Sequence, residues 1–158
     1  MLVTTGGGGD GEGLIDWTLS AYEADRSLPL GALIVFGPFV PPEQRAAFME
    51  RVARLPDVEA ITFDSRIEHL IANSEGVIAM GGYNTFCEIL SFDKRSVIVP
   101  RRTPRMEQTI RAERAAELGL ISCLDGAGLE DGGEQEQRLR AEACLLYTSD
   151  AADDSLRV

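Results

Sequence analysis

Histidine, paired cysteines, positive charge and long apolar runs are all scarce in this chain. A single histidine, His69, among 158 residues leaves a His-ligated metal centre or a local Ser-His-Asp triad without its parts. Three cysteines with no C-x-x-C spacing make neither a disulfide framework nor a zinc site, so the expected setting is a reducing cytoplasm. Lys and Arg number 15 against 26 Asp and Glu, a formal charge of -11, which argues against a nucleic-acid partner that needs a basic face. No apolar run approaches the ~20 residues that span a bilayer, and the opening residues lack a signal-peptide pattern. Disorder is excluded as well, because 44% of the residues are hydrophobic.

What is present is an alternation of apolar β-rich runs with amphipathic stretches. Leu2–Thr5, Ala32–Phe36, Val58–Phe63, Gly76–Met80, Ser96–Pro100 and Ile121–Leu124 read as strands. Between them, helices are expected over Leu14–Glu23, from Pro41-Pro42 through Arg54, after Asp64-Ser65, over Asn84–Phe92, and from Pro104 to Leu118-Gly119. Ser65 and Glu68 have the spacing of a capping box. Strands alternating with helices imply βαβ units and a doubly wound parallel α/β sheet, with its strand-to-helix loops gathered at the carboxyl edge. Residues 2–143 form the expected domain.

The ends carry separate expectations. Cys144 to Asp153 looks like one reading frame of a transposon-based sequencing adaptor, so residues 144–158 are expected to be a non-native tail. At the other end a buried strand type begins at Met1, and truncation upstream is expected.

Three loop segments could carry chemistry. Gly6-Gly7-Gly8-Gly9 and the residues to Gly13 lie between a strand and a helix, where glycines let backbone N–H groups approach an anion. The loop fits neither a Walker pattern nor a dinucleotide fingerprint, and it is equally readable as a structural turn. Gly81 and Gly82 end a strand, and Asn84 or Thr85 then opens a helix whose first N–H groups suit a diphosphate. Glu88, one turn in, suits a diol such as ribose. Thr85 and Glu88 also match a capping box, which would leave them nothing to bind with. Arg101, Arg102 and Arg105 concentrate positive charge beside this edge, for phosphate neutralisation or as a solvated loop. Glu107 and Gln108 open the next helix within reach of a sugar's hydroxyls. His69, Cys87, Cys123 and Trp17 read as surface or packing residues.

Together, the strand running into Gly6–Gly9, the Gly81–Glu88 segment and Pro100 followed by Glu107-Gln108 resemble the C-terminal, donor-nucleotide domain of GT-B glycosyltransferases. The nearest group is the MurG-like family 28 transferases. The resemblance covers about residues 2–125 and implies the Rossmann-like half of a GT-B fold. It implies further that the glycine loop lies near a diphosphate, that Thr85 contacts it and that Glu88 binds ribose hydroxyls. Gln108 would meet the donor sugar, and Phe63–Ile67, with Arg66 and Ile67, would lie against the base, usually uracil. Asp10, Glu12, Tyr83 and Asn84 depart from the family's pattern and bear on donor identity.

The expected function is a glycosyltransferase of hexosyl type that binds a nucleotide-diphospho-sugar, UDP-linked, without cofactor or metal. The acceptor hydroxyl and the catalytic base would belong to an N-terminal domain outside these residues, which leaves room for peripheral membrane association through that part. The alternatives are a stand-alone nucleotide-binding subunit working with a separate partner, a GT-B sugar-nucleotide epimerase, and a degenerate domain without activity.

Overall fold

A computed structural model describes residues 1–9, 11–101 and 106–124. Six strands, β1 (Leu2–Thr4), β2 (Ala32–Val35), β3 (Val58–Ile61), β4 (Gly76–Ala79), β5 (Arg95–Ile98) and β6 (Ser122–Cys123), form one sheet in the order β3-β2-β1-β4-β5-β6. All five pairings are parallel. Parallel neighbours need crossovers, and helices supply them: α1 (Glu12–Ala24), α2 (Pro42–Val52), α3 (Ile67–Ala72), α4 (Tyr83–Ser91) and α5 (Glu107–Glu117).

Strand side chains alternate between two cores, as the two-residue period requires. Val3, Ile34, Ile78, Val97 and Val99 pack with Leu14, Ile15, Trp17, Leu19 and Tyr22 of α1 and with Val52 of α2. Leu2, Val77 and Ile98 face the other way, onto Ile71 of α3, Phe86 and Ile89 of α4, and Ala112 and Ala115 of α5. Burial on both faces explains why β2 and β4 are continuous apolar runs. Ala112 and Ala115, small and buried, let α5 sit close to β6.

The strand order reverses direction between β1 and β4. There the crossover from β1 leaves toward β2 and that of β4 leaves toward β5, so their loops part and open a crevice at the carboxyl edge. The glycine run follows β1 and the Gly81-Gly82 pair follows β4, so the two glycine-rich segments face one another across that crevice.

Several boundaries differ from the sequence reading. α1 begins at Glu12 rather than Leu14, and β3 ends at Ile61 rather than Phe63. The Ser65/Glu68 capping box does not form. The residue flanking α3 is Arg66, without a side-chain cap, and Asp64 Oδ1 instead accepts the Arg66 N–H at 2.7 Å. An aspartate two residues ahead of an N–H makes this local turn at little entropic cost. Arg102, Arg105 and the proposed 144–158 tail lie outside the described residues.

Candidate nucleotide-binding cleft

The carboxyl ends of β1 and β2 are tied together first. Thr5 Oγ1 donates to the Phe36 carbonyl at 2.8 Å, a buried bond between the two loops. Beside it Gly37 has φ +83°, and a Cβ there would stand 2.7 Å from the Gly6 carbonyl oxygen. Only glycine allows this approach without strain. The two loops thus form a common floor.

On that floor lies a cleft of about 410 Å³. One wall is Thr4, Gly6 and Gly7, with Val35, Gly37 and Pro38 beside them. Phe63, Asp64 and Ile67 close one end, and Gly82, Tyr83, Asn84, Thr85 and Glu88 form the opposite wall. A smaller hollow of about 160 Å³ continues from it, sharing Gly6, Gly7 and Gly82 and adding Thr5, Gly8, Met80, Arg101 and Gln108. The two hollows meet along Gly6, Gly7 and Gly82, and together form a slot in which Phe63, Ile67 and Glu88 line only the larger part and Arg101 only the smaller.

The middle is built by the start of α4. That helix begins at Tyr83, one or two residues before the start expected at Asn84 or Thr85. Gly81, with φ +75°, turns the chain out of β4, and Gly82 flanks the helix with extended ψ of 148°. The Gly82 carbonyl accepts the first helical bond, from Phe86 N–H at 2.9 Å. Thr85 is therefore the third helical residue and cannot be its cap, so the T-x-x-E box does not form. The N–H groups of Tyr83, Asn84 and Thr85 have no acceptor among the described residues. A helix start of this kind carries a partial positive charge and several free donors.

Glu88 sits one turn further along the same wall. Its Oε2 is buried with no hydrogen-bond partner among the described residues. Removal from water pushes its carboxyl above the ordinary value of 4.5, and the charge of Glu68 on α3 pushes the same way. A carboxylate held so is an acceptor whose hydrogen bonds remain to be made.

At the cationic end, Gln108 is 8% exposed and acts as a bracket. With its amide oriented to satisfy both neighbours, Nε2 donates to the Met80 carbonyl at 2.9 Å and Oε1 accepts from Arg101 Nε at 3.2 Å. Thr109 Oγ1 also donates to the Arg101 carbonyl at 3.1 Å. Arg101 is thereby held by side chain and backbone at the mouth of the smaller hollow. Arg111, one turn along α5, donates from Nη1 to the Gly81 carbonyl at 3.0 Å and lies over the rings of Tyr83 and Phe86.

Of the residues singled out from sequence, Gly6, Gly7, Ile67, Gly82, Asn84, Thr85 and Glu88 line the larger cleft. Gly8, Arg101 and Gln108 line the smaller hollow. Gly9 lies against Phe39, Arg66 and Glu107 are exposed and line neither hollow, and Gly81 contributes its turn and its carbonyl rather than a lining surface. Thr4, Thr5, Val35, Gly37, Pro38 and Met80 also line the slot without having been singled out, whereas Asp64 falls within the Phe63–Ile67 segment expected against the base. Their signal was positional, since each stands at or just past the carboxyl end of a strand. Arg111 gave a different signal: an arginine three residues after Gln108, on the α5 face that also carries Ala112 and Ala115. Among the described residues no group of three or more His, Cys, Asp or Glu could hold a metal ion, and no helix is long and apolar enough to cross a membrane.

The architecture is that of a Rossmann-like, doubly wound α/β domain with its cleft at the switch point. The sequence matches the family model described as the glycosyltransferase family 28 C-terminal domain over residues 5–137, and the chain belongs to that family. Solved structures with the same fold include MurG of Acinetobacter baumannii, at TM-score 0.68 and 18% identity over 90% of this chain and 42% of that one. The glycotransferase of kitacinnamycin superposes at TM-score 0.64 and 18% identity, covering 92% of this chain and 34% of its own. The spinosyn rhamnosyltransferase SpnG matches at TM-score 0.59 and 24% identity, over 96% and 41%. The chain thus spans well under half the length of these enzymes. A comparison with curated proteins finds no match.

Proposed function

We propose that the chain is the donor-binding half of a glycosyltransferase, taking a nucleoside-diphospho-sugar whose sugar passes to an acceptor hydroxyl held by another domain. The observation that carries this reading is the order of groups along the slot. Apolar side chains of Phe63 and Ile67 suit a base, and the unsatisfied Glu88 carboxylate suits a ribose diol. The free N–H groups of α4 and the glycine loop suit a diphosphate, and Arg101 with Gln108 stands where the sugar would emerge. Arg101 is the better sugar or β-phosphate contact of the pair, because both ends of the Gln108 amide serve the fold.

In this reading the protein's chemical contribution is charge stabilisation of the departing diphosphate. Helix N–H groups aimed at developing negative charge need no reorganisation at the moment of transfer. The reacting base belongs to the acceptor side. SpnG has also been solved complexed with thymidine diphosphate, at TM-score 0.53, so thymidine and uridine diphosphates are the donors to compare. The carboxylate at Glu88 favours a full ribose diol, and hence the uridine nucleotide.

Calorimetric titration of the chain with UDP, dTDP and ADP tests this. UDP is expected to bind more tightly than dTDP, which lacks the ribose 2′-hydroxyl, and ADP, which keeps it, serves as the purine control for the base end. Absence of binding by either pyrimidine diphosphate to the folded chain would refute the proposal. Transfer itself is read only after an acceptor-binding partner is supplied, and a donor hydrolysed or epimerised without acceptor would favour the epimerase alternative.

A further inference from the structure

Arg111 occupies an electrostatically unfavourable place. Its guanidinium donates to the Gly81 carbonyl at 3.0 Å, two residues before α4 begins, and so lies beside the positive end of that helix. No carboxylate pairs with it among the described residues. Its ion-pairing is replaced by two aromatic faces, Tyr83 at 5.3 Å and Phe86 at 5.6 Å from the guanidinium carbon to the ring centroids. A planar, weakly hydrated guanidinium stacks on such faces more readily than a compact ammonium does. A cation placed behind a helix start opposes the dipole in the free protein, and an anion in front of the same helix relieves that opposition.

We propose that Arg111 is a positioning residue for the diphosphate, which pins the Gly81-Gly82 turn and adds a fixed positive charge behind the α4 N–H groups. This inference rests on the donor-site reading above. Its geometric half is the pinned carbonyl. Gly81 is held at φ +75° with its Cα against Ile98, where an added Cβ would meet Ile98 Cγ2 at 2.7 Å. Locking its carbonyl onto Arg111 fixes the peptide that leads into Gly82 and hence the direction of the next N–H groups. Its electrostatic half is the absence of a paired carboxylate, which leaves the charge to act across the helix start. Arg111 itself touches no reacting atom, and it works through the backbone and the field.

The two halves separate in experiment. Binding of UDP and of uridine to the full chain is measured by titration at low and high salt, for wild type, R111Q, R111M and R111K. R111Q should bind UDP about tenfold more weakly at low salt, with the gap narrowing as salt screens the charge. Uridine binding should be unchanged, since uridine lacks phosphates, and R111K should recover part of the UDP affinity. R111M, whose apolar stem still covers both rings, replaces R111Q if the latter does not fold. Unchanged UDP affinity in a folded R111Q or R111M overturns the proposal. So does an equal loss of UDP and uridine at all salt concentrations, the result of a merely structural role. A folded wild-type chain that binds neither UDP nor dTDP overturns the donor-site reading itself, and that outcome is distinct from a variant that binds like wild type.

Discussion

Replacing Glu88 by glutamine changes one oxygen for one nitrogen and tests the centre of the donor-site reading. In the free protein Glu88 Oε2 is buried without a hydrogen-bond partner among the described residues, so this oxygen has lost water and gained no protein donor. A ribose diol would donate two hydroxyls to that carboxylate. The glutamine amide can accept only one of them and presents a donor to the other. A hydrogen bond to a charged group contributes about 1.5–3 kcal/mol, so E88Q should weaken UDP about 10- to 150-fold. Comparison with 2′-deoxy-UDP isolates the contact: wild type should prefer UDP by about tenfold, and E88Q should lose most of that preference. Equal affinity of wild type and E88Q for UDP, or an identical UDP to deoxy-UDP ratio in both, would refute the reasoning.

The same residue predicts two pH effects of opposite sense. Burial and Glu68 raise the Glu88 carboxyl above its ordinary value of 4.5 in the folded chain. As pH rises from that value, the unfolded chain ionises first, so folding stability falls until the folded carboxyl has also ionised. E88Q removes this decline and should be the more stable protein at neutral pH by thermal melting. Ligand hydroxyls favour the ionised form, so UDP affinity of wild type should rise with pH through the raised value, with proton release that makes the observed binding enthalpy vary with the buffer's ionisation heat. E88Q should show neither.

Three further substitutions test the scaffold. Gly37→Ala forces a side chain into φ +83° against the Gly6 carbonyl; a cost of about 1–2 kcal/mol from the backbone alone should lower Tm by several degrees and weaken UDP binding by displacing the glycine loop. Ile89→Ala empties a fully buried site behind α4 and should cost about 2–5 kcal/mol in denaturant unfolding, without loss of affinity in the fraction that remains folded. Arg51→Met removes the guanidinium that binds Glu23 and Asp16; the loss should be about 0.5–1 kcal/mol at neutral pH. Because hydrogen bonding to Arg51 holds Glu23 below the ordinary carboxylate range, that difference should vanish as pH falls through it.

Strand identity and order of elements were legible because fully buried parallel strands leave a strong mark, four or five consecutive apolar residues ended by Gly or Pro. β2 before Gly37-Pro38 and β4 before Gly81-Gly82 are the clearest cases. Sheet order was not legible. Nothing in the residues of β4 says that it pairs with β1 rather than with β3, since both edges of a buried strand offer the same backbone groups. That pairing is what opens the crevice between the two glycine loops.

The site was legible to the extent that it depends on backbone, and ambiguous wherever one residue could serve either the helix or a ligand. Thr85 and Glu88 fit a capping box as well as a ligand site, and the choice turned on where α4 starts. Because Gly81 and Gly82 can take the turn themselves, the helix begins at Tyr83 and Thr85 falls inside it, which leaves its N–H and the Glu88 carboxylate unspent. The reverse happened at Gln108. Its sequence position suggested a sugar contact, yet with the start of α5 beside the carboxyl end of β4 its amide becomes a bracket between Met80 and Arg101. The helix spacing of Arg111 was readable but its partner was not: the carbonyl it holds is 30 residues away, at the carboxyl end of β4. The proposed donor site is thus assembled from groups that local structure declines to use, and which groups those are is decided by helix starts and strand pairing more than by residue type.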